Sequence, residues 1–125
     1  MRLLLDTHVA LWLVRDAPEL SPRMRRLIDE AERVLLSAVS MWEVQLKVAL
    51  GKLALDPQRL ESQLLATGLQ PLPLTWAHTR ALQGLPGLHR DPFDRMLVAQ
   101  AMTEPLHLLT HDAQLAAYSE LVIVA

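Results

Sequence analysis

The chain has 125 residues, a net charge of -2 and no cysteine, so we expect one compact domain over residues 1–125 without disulfides, thiol nucleophiles or cysteine-type metal sites. Hydrophobic residues make up 51% of the sequence and aromatic residues only 4%, which favours helices packed on a sheet over disorder or an all-β fold. The small negative charge provides no overall basic surface for a polyanion, so any attraction to nucleic acid must be local or come from bound cations.

Short apolar runs alternate with helical patterns along the chain. The runs predict strands at 3–5, 34–36, 69–74, 106–109 and 121–124, of which the third contains prolines. Capping residues, prolines and apolar periodicity predict helices at 8–14, 22–32, 40–50, 57–68, 75–83 and 92–103, with a short helix after Asp112. This alternation predicts an α/β fold with a central, mostly parallel sheet of four to five strands and helices on both faces.

We do not expect the first residues to form a secretion signal, because an acid at position 6 interrupts the short apolar run that precedes it. No stretch approaches the roughly 18 apolar residues that a membrane helix needs. We therefore expect a soluble, cytoplasmic protein with no membrane partner.

Two acids follow predicted strands directly. Asp6 comes after the first strand, and Asp112 comes shortly after the fourth. The carboxyl ends of parallel strands meet at one edge of a sheet, where ligands of α/β proteins gather. We expect Asp6 and Asp112 to lie at that edge.

Two further acids lie on helical stripes that are otherwise apolar, by their i, i+3, i+4 and i+7 spacing. Neither stripe supplies an Arg or Lys at the level of its acid, so burial of either carboxylate is costly without a cation. The stripes are Glu43 with Val39, Leu46 and Leu50, and Asp94 with Leu97, Val98 and Ala101.

Helix capping explains each acid when it is taken alone. Ser40 and Glu43 fit a capping box, Asp91 before Pro92 is an ordinary N-cap, and Asp6 and Asp112 can cap the helices that follow them. As a group, unneutralised carboxylates at one sheet edge repel one another, and a hard cation such as Mg²⁺ or Mn²⁺ removes the conflict. Such a cation with carboxylate ligands indicates phosphodiester chemistry.

Four strings of the sequence, in this order and at this spacing, resemble the motifs of PIN-domain ribonucleases, and most of all those of the VapC toxins. They are L-L-D-T-H at 4–8, S-M-W-E at 40–43, H-R-D-P-F-D-R at 89–95 and L-T-H-D at 109–112. Together they extend over nearly the whole chain. The resemblance implies a parallel sheet flanked by helices.

The resemblance also implies a Mg²⁺- or Mn²⁺-dependent endoribonuclease that hydrolyses RNA, forms homodimers and is neutralised by an antitoxin covering the site. Asp91, three residues before Asp94, could also reach the site, but its capping position before Pro92 explains it, and we leave it outside the core set. Arg95 departs from the small residue common in the wider family, which bears on how open the cleft is beside Asp94, and a contact of Arg95 with RNA or the antitoxin is the alternative. The implied catalytic and metal-binding acids are Asp6, Glu43, Asp94 and Asp112, with Thr7 and Thr110 as supporting hydroxyls.

Several alternatives remain open or are set aside at this point. A housekeeping PIN nuclease in RNA processing and an inactive PIN-like binding module share the same motifs. An aspartyl phosphatase needs a second acid where this chain has His8, and a receiver domain needs an acidic pair and a late lysine that are absent. The histidines show no zinc-binding spacing.

Other basic and aromatic residues are assigned no catalytic role. We interpret His89 and Arg90 as part of a solvated loop, although the pair is also suited to phosphate. The cluster Arg23, Arg25 and Arg26 fits a solvated helix face at least as well as contacts with an RNA backbone. The tryptophans at 12 and 42 fit core or dimer contacts at least as well as base stacking.

Overall fold

The chain alternates strands and helices throughout, and the computed structural model describes residues 1–125. The strands are β1 (Arg2–Leu5), β2 (Arg33–Ser37), β3 (Gln70–Leu72), β4 (His107–Thr110) and β5 (Val122–Val124). The helices are α1 (Thr7–Arg15), α2 (Pro22–Glu30), α3 (Ala38–Ala49), α4 (Pro57–Ala66), α5 (Trp76–Ala81) and α6 (Pro92–Thr103), with short 3₁₀ helices at Leu82–Gly84 and Ala113–Ala117. No helix in this set has the length and apolar composition that crossing a bilayer requires.

All five strands are parallel and lie in the order β3-β2-β1-β4-β5, which confirms the predicted fold class. The central strand β1 is buried on both faces because its side chains alternate between two hydrophobic cores. Leu3 and Leu5 pack in the core that contains α1, α2 and α4, whereas Leu4 packs in the core that contains α6. Burying each such leucine stabilises the fold by about 1.5–3 kcal/mol. The carboxyl end of β1 is therefore held rigidly.

Several element boundaries differ from those predicted. The strand predicted at 69–74 is only Gln70–Leu72 long, because Pro71 and Pro73 limit backbone pairing at this edge of the sheet. The helix α3 begins at Ala38, where Ser37 caps it by accepting a hydrogen bond from the N–H of Val39. The capping box proposed for Ser40 is therefore wrong, since position 40 already lies inside the helix.

The apolar stripe predicted for α3 is also wrong, because two of its members face solvent. Leu46 and Leu50 are 40% and 60% exposed, and they continue an exposed stripe that begins at Trp42. The stripe predicted for α6, with Leu97, Val98 and Ala101, is buried as expected. The buried face of α3 consists of Val39, Ser40, Glu43 and Val44.

Candidate metal centre

Asp6 lies at the carboxyl end of β1 and caps α1. Its side chain is 7% exposed, and its two oxygens accept hydrogen bonds from the backbone N–H of His8 and the hydroxyl of Thr110, both at 2.7 Å. Burial is the largest influence on the pKa of Asp6 and would raise it, but the hydrogen bonds from His8 and Thr110 together lower the pKa below its usual value. Asp6 is therefore an ionised carboxylate with a fixed orientation.

Glu43 is the buried acid of α3, with a side chain that is 4% exposed. Its Oε2 accepts a hydrogen bond from Nζ of Lys47 at 2.7 Å, so the expectation that no basic residue stands at its level is wrong. Lys47 follows one helical turn later, and this i, i+4 spacing is the signal that could have identified the pair. The other oxygen, Oε1, is buried without any hydrogen-bond partner. Such an oxygen costs roughly 1–3 kcal/mol unless a cation or water meets it.

Asp94 lies in the first turn of α6 and is 20% exposed. Burial, followed by the negative charges of Asp91 and Asp6 and then of Glu43, raises the pKa of Asp94 to about 7, against an opposing effect of His89. The charges of three other acids act on Asp94, so the carboxylates at the end of β1 and on α3 lie near the first turn of α6. Burial and these like charges together make ionisation of Asp94 costly.

Asp112 lies after β4 and caps the 3₁₀ helix Ala113–Ala117 through a hydrogen bond from the N–H of Gln114 at 2.9 Å. Its Oδ2 is 3.1 Å from Nε2 of His89, and the same nitrogen is 3.5 Å from Oδ2 of Asp94. The possible ligand atoms of these three side chains all lie within 4.8 Å of one another. His89 therefore lies between Asp112 and Asp94 and contacts both side chains.

The interpretation of His89 as part of a solvated loop is wrong, because its side chain is only 15% exposed. Periodicity could not have identified it, since it lies outside any helix or strand. The only signal was its position five residues before Asp94, within a motif of the resembling family.

The two threonines that the resemblance singles out make different contacts. The buried hydroxyl of Thr110 donates to Asp6 and accepts a hydrogen bond from the N–H of Asp112 at 3.0 Å, so it joins two of the acids. The hydroxyl of Thr7 donates to Ser40 at 2.8 Å and connects α1 to α3. Thr7 thus reaches the neighbouring helix rather than a carboxylate.

Asp91 is the N-cap of α6, since its Oδ1 accepts hydrogen bonds from the N–H groups of Phe93 and Asp94. Arg95 points away from the acids: its guanidinium donates to the carbonyl of Pro86 at 2.7 Å and to the hydroxyl of Tyr118 at 3.1 Å. Arg95 therefore holds the loop before α6 in place and leaves the site open beside Asp94.

The remaining predicted candidates lie around this site or elsewhere on the surface. In α2, Arg23 donates to the carbonyl of Val124 and Arg25 pairs with Asp16, so both are engaged within the fold. Trp12 packs edge-on against His111, with ring centres 5.7 Å apart. Trp42 is 60% exposed and packs against Phe93, next to Asp94.

The donor set fits a hard divalent cation. Every predicted site acid offers carboxylate oxygen, the ligand that Mg²⁺ and Mn²⁺ prefer. The buried, unpartnered Oε1 of Glu43 and the charge repulsion on Asp94 are two features that a cation would relieve. A parallel sheet with such an acidic carboxyl edge defines a class of α/β proteins suited to chemistry at phosphate esters.

The sequence model of the PIN domain matches residues 3–121. The chain therefore belongs to the PIN domain family of nucleases. No curated protein matches the sequence significantly.

Several solved structures share this fold. VapBC2 from Rickettsia felis, bound to a DNA fragment from its promoter, aligns with a TM-score of 0.72 and 16% identity, covering 100% of this chain and 98% of that chain. FitAcB from Neisseria gonorrhoeae aligns with a TM-score of 0.72 and 24% identity, covering 98% of this chain and 96% of that chain. DNA-bound VapBC from Salmonella typhimurium aligns with a TM-score of 0.71 and 16% identity, covering 100% and 97% respectively. These similarities show that the fold extends over the whole chain.

Proposed function

We propose that this PIN domain is a Mg²⁺- or Mn²⁺-dependent endoribonuclease and the toxin of a toxin–antitoxin pair. The observation that carries the proposal is the partly buried carboxylate of Asp94, whose pKa is raised to about 7 by burial first, then by the charges of Asp91 and Asp6, and to a smaller extent by that of Glu43. Carboxylates that repel one another at this cost are expected where a cation is to be bound.

Each acid has a distinct part in the proposed site. Asp6 and Asp94 are the principal ligands, because Asp6 is ionised and fixed in orientation, and a bound cation would relieve the cost of ionising Asp94. Glu43 offers its free Oε1, and Asp112 offers a carboxylate at the more exposed side, where its side chain is 36% exposed. When bound, the cation would activate water and neutralise charge on the scissile phosphate.

The residues around the acids prepare the site without contacting the reacting atoms. Thr110 orients Asp6, and Lys47 compensates one oxygen of Glu43 while leaving the other free. Lys47 is also 36% exposed, so its positive charge would be available to an approaching RNA phosphate. Local charges of this kind, together with the cation, offset the net charge of -2 of the whole chain.

RNA as the substrate is proposed from the motifs that resemble the VapC toxins, and a cytoplasmic location follows from that substrate. An endonuclease needs an open site, which the partial exposure of Asp94 and Asp112 supports. We propose that this chain has an antitoxin as its partner, because the structural neighbours are VapBC and FitAcB complexes.

Two surfaces support assembly with protein partners. The exposed apolar stripe of α3, consisting of Trp42, Leu46 and Leu50, is suited to a homodimer interface. A mostly apolar cavity of about 650 Å³ between α3, α4 and β3 is suited to an apolar segment of the antitoxin. We propose both interfaces as parts of the toxin–antitoxin complex.

The experiment compares the purified chain with Asp94→Asn on single-stranded and structured RNA, with Mg²⁺, Mn²⁺ or chelator. Asp29→Asn is the matched control, because Asp29 is exposed on α2 and makes no hydrogen bond through its side chain. Cleavage by the parent and the control, but not by Asp94→Asn or with chelator, is expected. If the parent cleaved no RNA with either metal, the nuclease proposal would be contradicted, and an inactive PIN-like binding module would be the remaining explanation.

The toxin role is tested separately from the nuclease activity. Induced expression is expected to arrest bacterial growth, and Asp94→Asn is expected to abolish the arrest. Coexpression of a short reading frame found just upstream, encoding a DNA-binding protein, is expected to restore growth. RNA cleavage without growth arrest and without such a neighbour would indicate a housekeeping nuclease.

A further inference from the structure

The loop before α6 places the ring of His89 between two acids of the site. Its Nε2 is 3.1 Å from Oδ2 of Asp112 and 3.5 Å from Oδ2 of Asp94. Asp112 follows β4 and Asp94 lies in α6; the Nε2 of His89 is hydrogen-bonded to Asp112 and only close to Asp94, and no other side chain hydrogen-bonds to either of these two oxygens. His89 is therefore the one direct side-chain link between Asp94 and Asp112.

The other ring nitrogen determines where the proton of a neutral His89 resides. Nδ1 lies 3.0 Å from the backbone N of Asp91, whose N–H can only donate. Nδ1 must then accept, which leaves Nε2 as the ring nitrogen that carries hydrogen. The Nε2–H of His89 accordingly donates a hydrogen bond to Oδ2 of Asp112, and Oδ2 of Asp94 lies 3.5 Å from the same nitrogen.

This arrangement is opposite to that of a metal-binding histidine. A histidine ligand presents a bare nitrogen to the metal and donates its other N–H to a carboxylate, a carbonyl or water. In His89 the other nitrogen faces a donor, the N–H of Asp91. Although the spacing of His89, Asp94 and Asp112 is compatible with a three-ligand set, its hydrogen bonds favour donation to the acids.

The protein also holds the backbone of His89 in place. Its N–H donates to the hydroxyl of Tyr118 at 2.7 Å, and Tyr118 is only 9% exposed. Arg95 donates to the same hydroxyl and to the carbonyl of Pro86, within the same loop. The ring is thus fixed at its Nδ1 and at its backbone, which gives the Nε2–H a defined direction.

We propose that His89 is a positioning residue of the acid site, whose Nε2–H donates to Asp112 and holds this carboxylate beside Asp94 without binding the metal. The inference rests on the proposed metal-dependent function, because it states how two of the proposed ligands are oriented. Carboxylates held in advance lose less freedom when the cation binds, so removal of the donor weakens binding.

Two substitutions separate the donor from the loop contact. In His89→Asn, the amide oxygen can still accept from the N–H of Asp91, but the side chain is too short to reach the acids. In His89→Gln, an amide N–H can extend to the place of Nε2. The histidine of β4 provides the control His107→Asn, because residue 107 begins that strand, at the edge of the sheet opposite the site.

The test measures Mn²⁺ affinity of the full chain by electron paramagnetic resonance of free Mn²⁺. His89→Asn is expected to weaken binding about tenfold, the lower end of the range for such supporting residues, while His89→Gln stays within about threefold of the parent. His107→Asn should leave the affinity unchanged. Nitrogen NMR of the metal-free protein should show hydrogen on Nε2 of His89 and none on Nδ1.

Three results would overturn the inference while leaving the proposed function intact. The first is a Mn²⁺ affinity in His89→Asn that equals or exceeds that of the parent. The second is hydrogen on Nδ1 of the ring. The third is a histidine ¹⁴N coupling to bound Mn²⁺, seen in pulsed electron paramagnetic resonance spectra of the parent and abolished by His89→Gln. Failure of the parent protein itself to bind Mn²⁺ would instead contradict the proposed function, and the inference with it.

Discussion

Replacement of Asp94 by asparagine is expected to stabilise the metal-free protein at neutral and alkaline pH, although it destroys the proposed metal site. In the folded chain, burial and then the charges of Asp91 and Asp6 raise the pKa of Asp94 from 3.8 to about 7. The unfolded chain loses this proton near pH 4, whereas the folded chain keeps it until about pH 7. The free energy of unfolding therefore falls as pH rises through this window.

The size of the effect follows from the two pKa values. Each pH unit between 3.8 and about 7 contributes about 1.4 kcal/mol, so the penalty at pH 8 approaches about 4 kcal/mol as an upper limit. Asp94→Asn removes the charge and keeps the size of the side chain. For a domain of this size, such a gain corresponds to a rise in Tm on the order of 10 °C.

The assay is thermal unfolding of the metal-free protein, with chelator present, between pH 4 and pH 8. Asp94→Asn should match the parent near pH 4 and exceed it increasingly toward pH 8, while the control Asp29→Asn should follow the parent throughout. If Asp94→Asn were no more stable than the parent at pH 8, the reasoning from charge repulsion would be refuted.

Three further predictions concern the metal, Asp6 and the homodimer. Mn²⁺ should raise the Tm of the parent more at pH 8 than at pH 5.5, because protons compete for Asp94 at the lower pH; equal shifts would count against Asp94 as a ligand. Thr110→Val removes a hydrogen bond that lowers the pKa of Asp6 and leaves the N–H of Asp112 unpaired, so RNA cleavage should fall about tenfold and more steeply at low pH. An unchanged pH–rate profile would argue against that role. Leu46→Glu places a charge in the exposed stripe of α3 and should convert a dimer into monomers in light scattering; a persistent dimer would place the interface elsewhere.

The parts of the site that could be predicted from sequence are those linked to periodic elements. Asp6 could be placed because the run of leucines before it reads as a buried strand, and Asp94 because Leu97 and Val98 mark the inner face of its helix. The parallel order of the sheet followed from the alternation of strands and helices. These inferences depend only on patterns a few residues long.

The parts that could not be predicted depend on where a helix begins and how a loop folds. The buried face of α3 was misassigned because Leu46 is apolar yet exposed, so hydrophobicity alone pointed to the wrong side of the helix. The place of His89 depends on contacts with Asp91 and Tyr118, the latter 29 residues away. The contact with Tyr118 joins distant parts of the chain and leaves no local pattern in the sequence.

The most direct test of the central claim is the chemical nature of the ends produced when the purified protein cuts an end-labelled RNA. Hydrolysis by water at a carboxylate-held cation predicts cleavage that requires Mg²⁺ or Mn²⁺ and leaves linear phosphate and hydroxyl ends. Asp94→Asn should yield no product. Cleavage that persists in chelator and leaves 2′,3′-cyclic phosphates, with the ribose hydroxyl as nucleophile, would contradict the account.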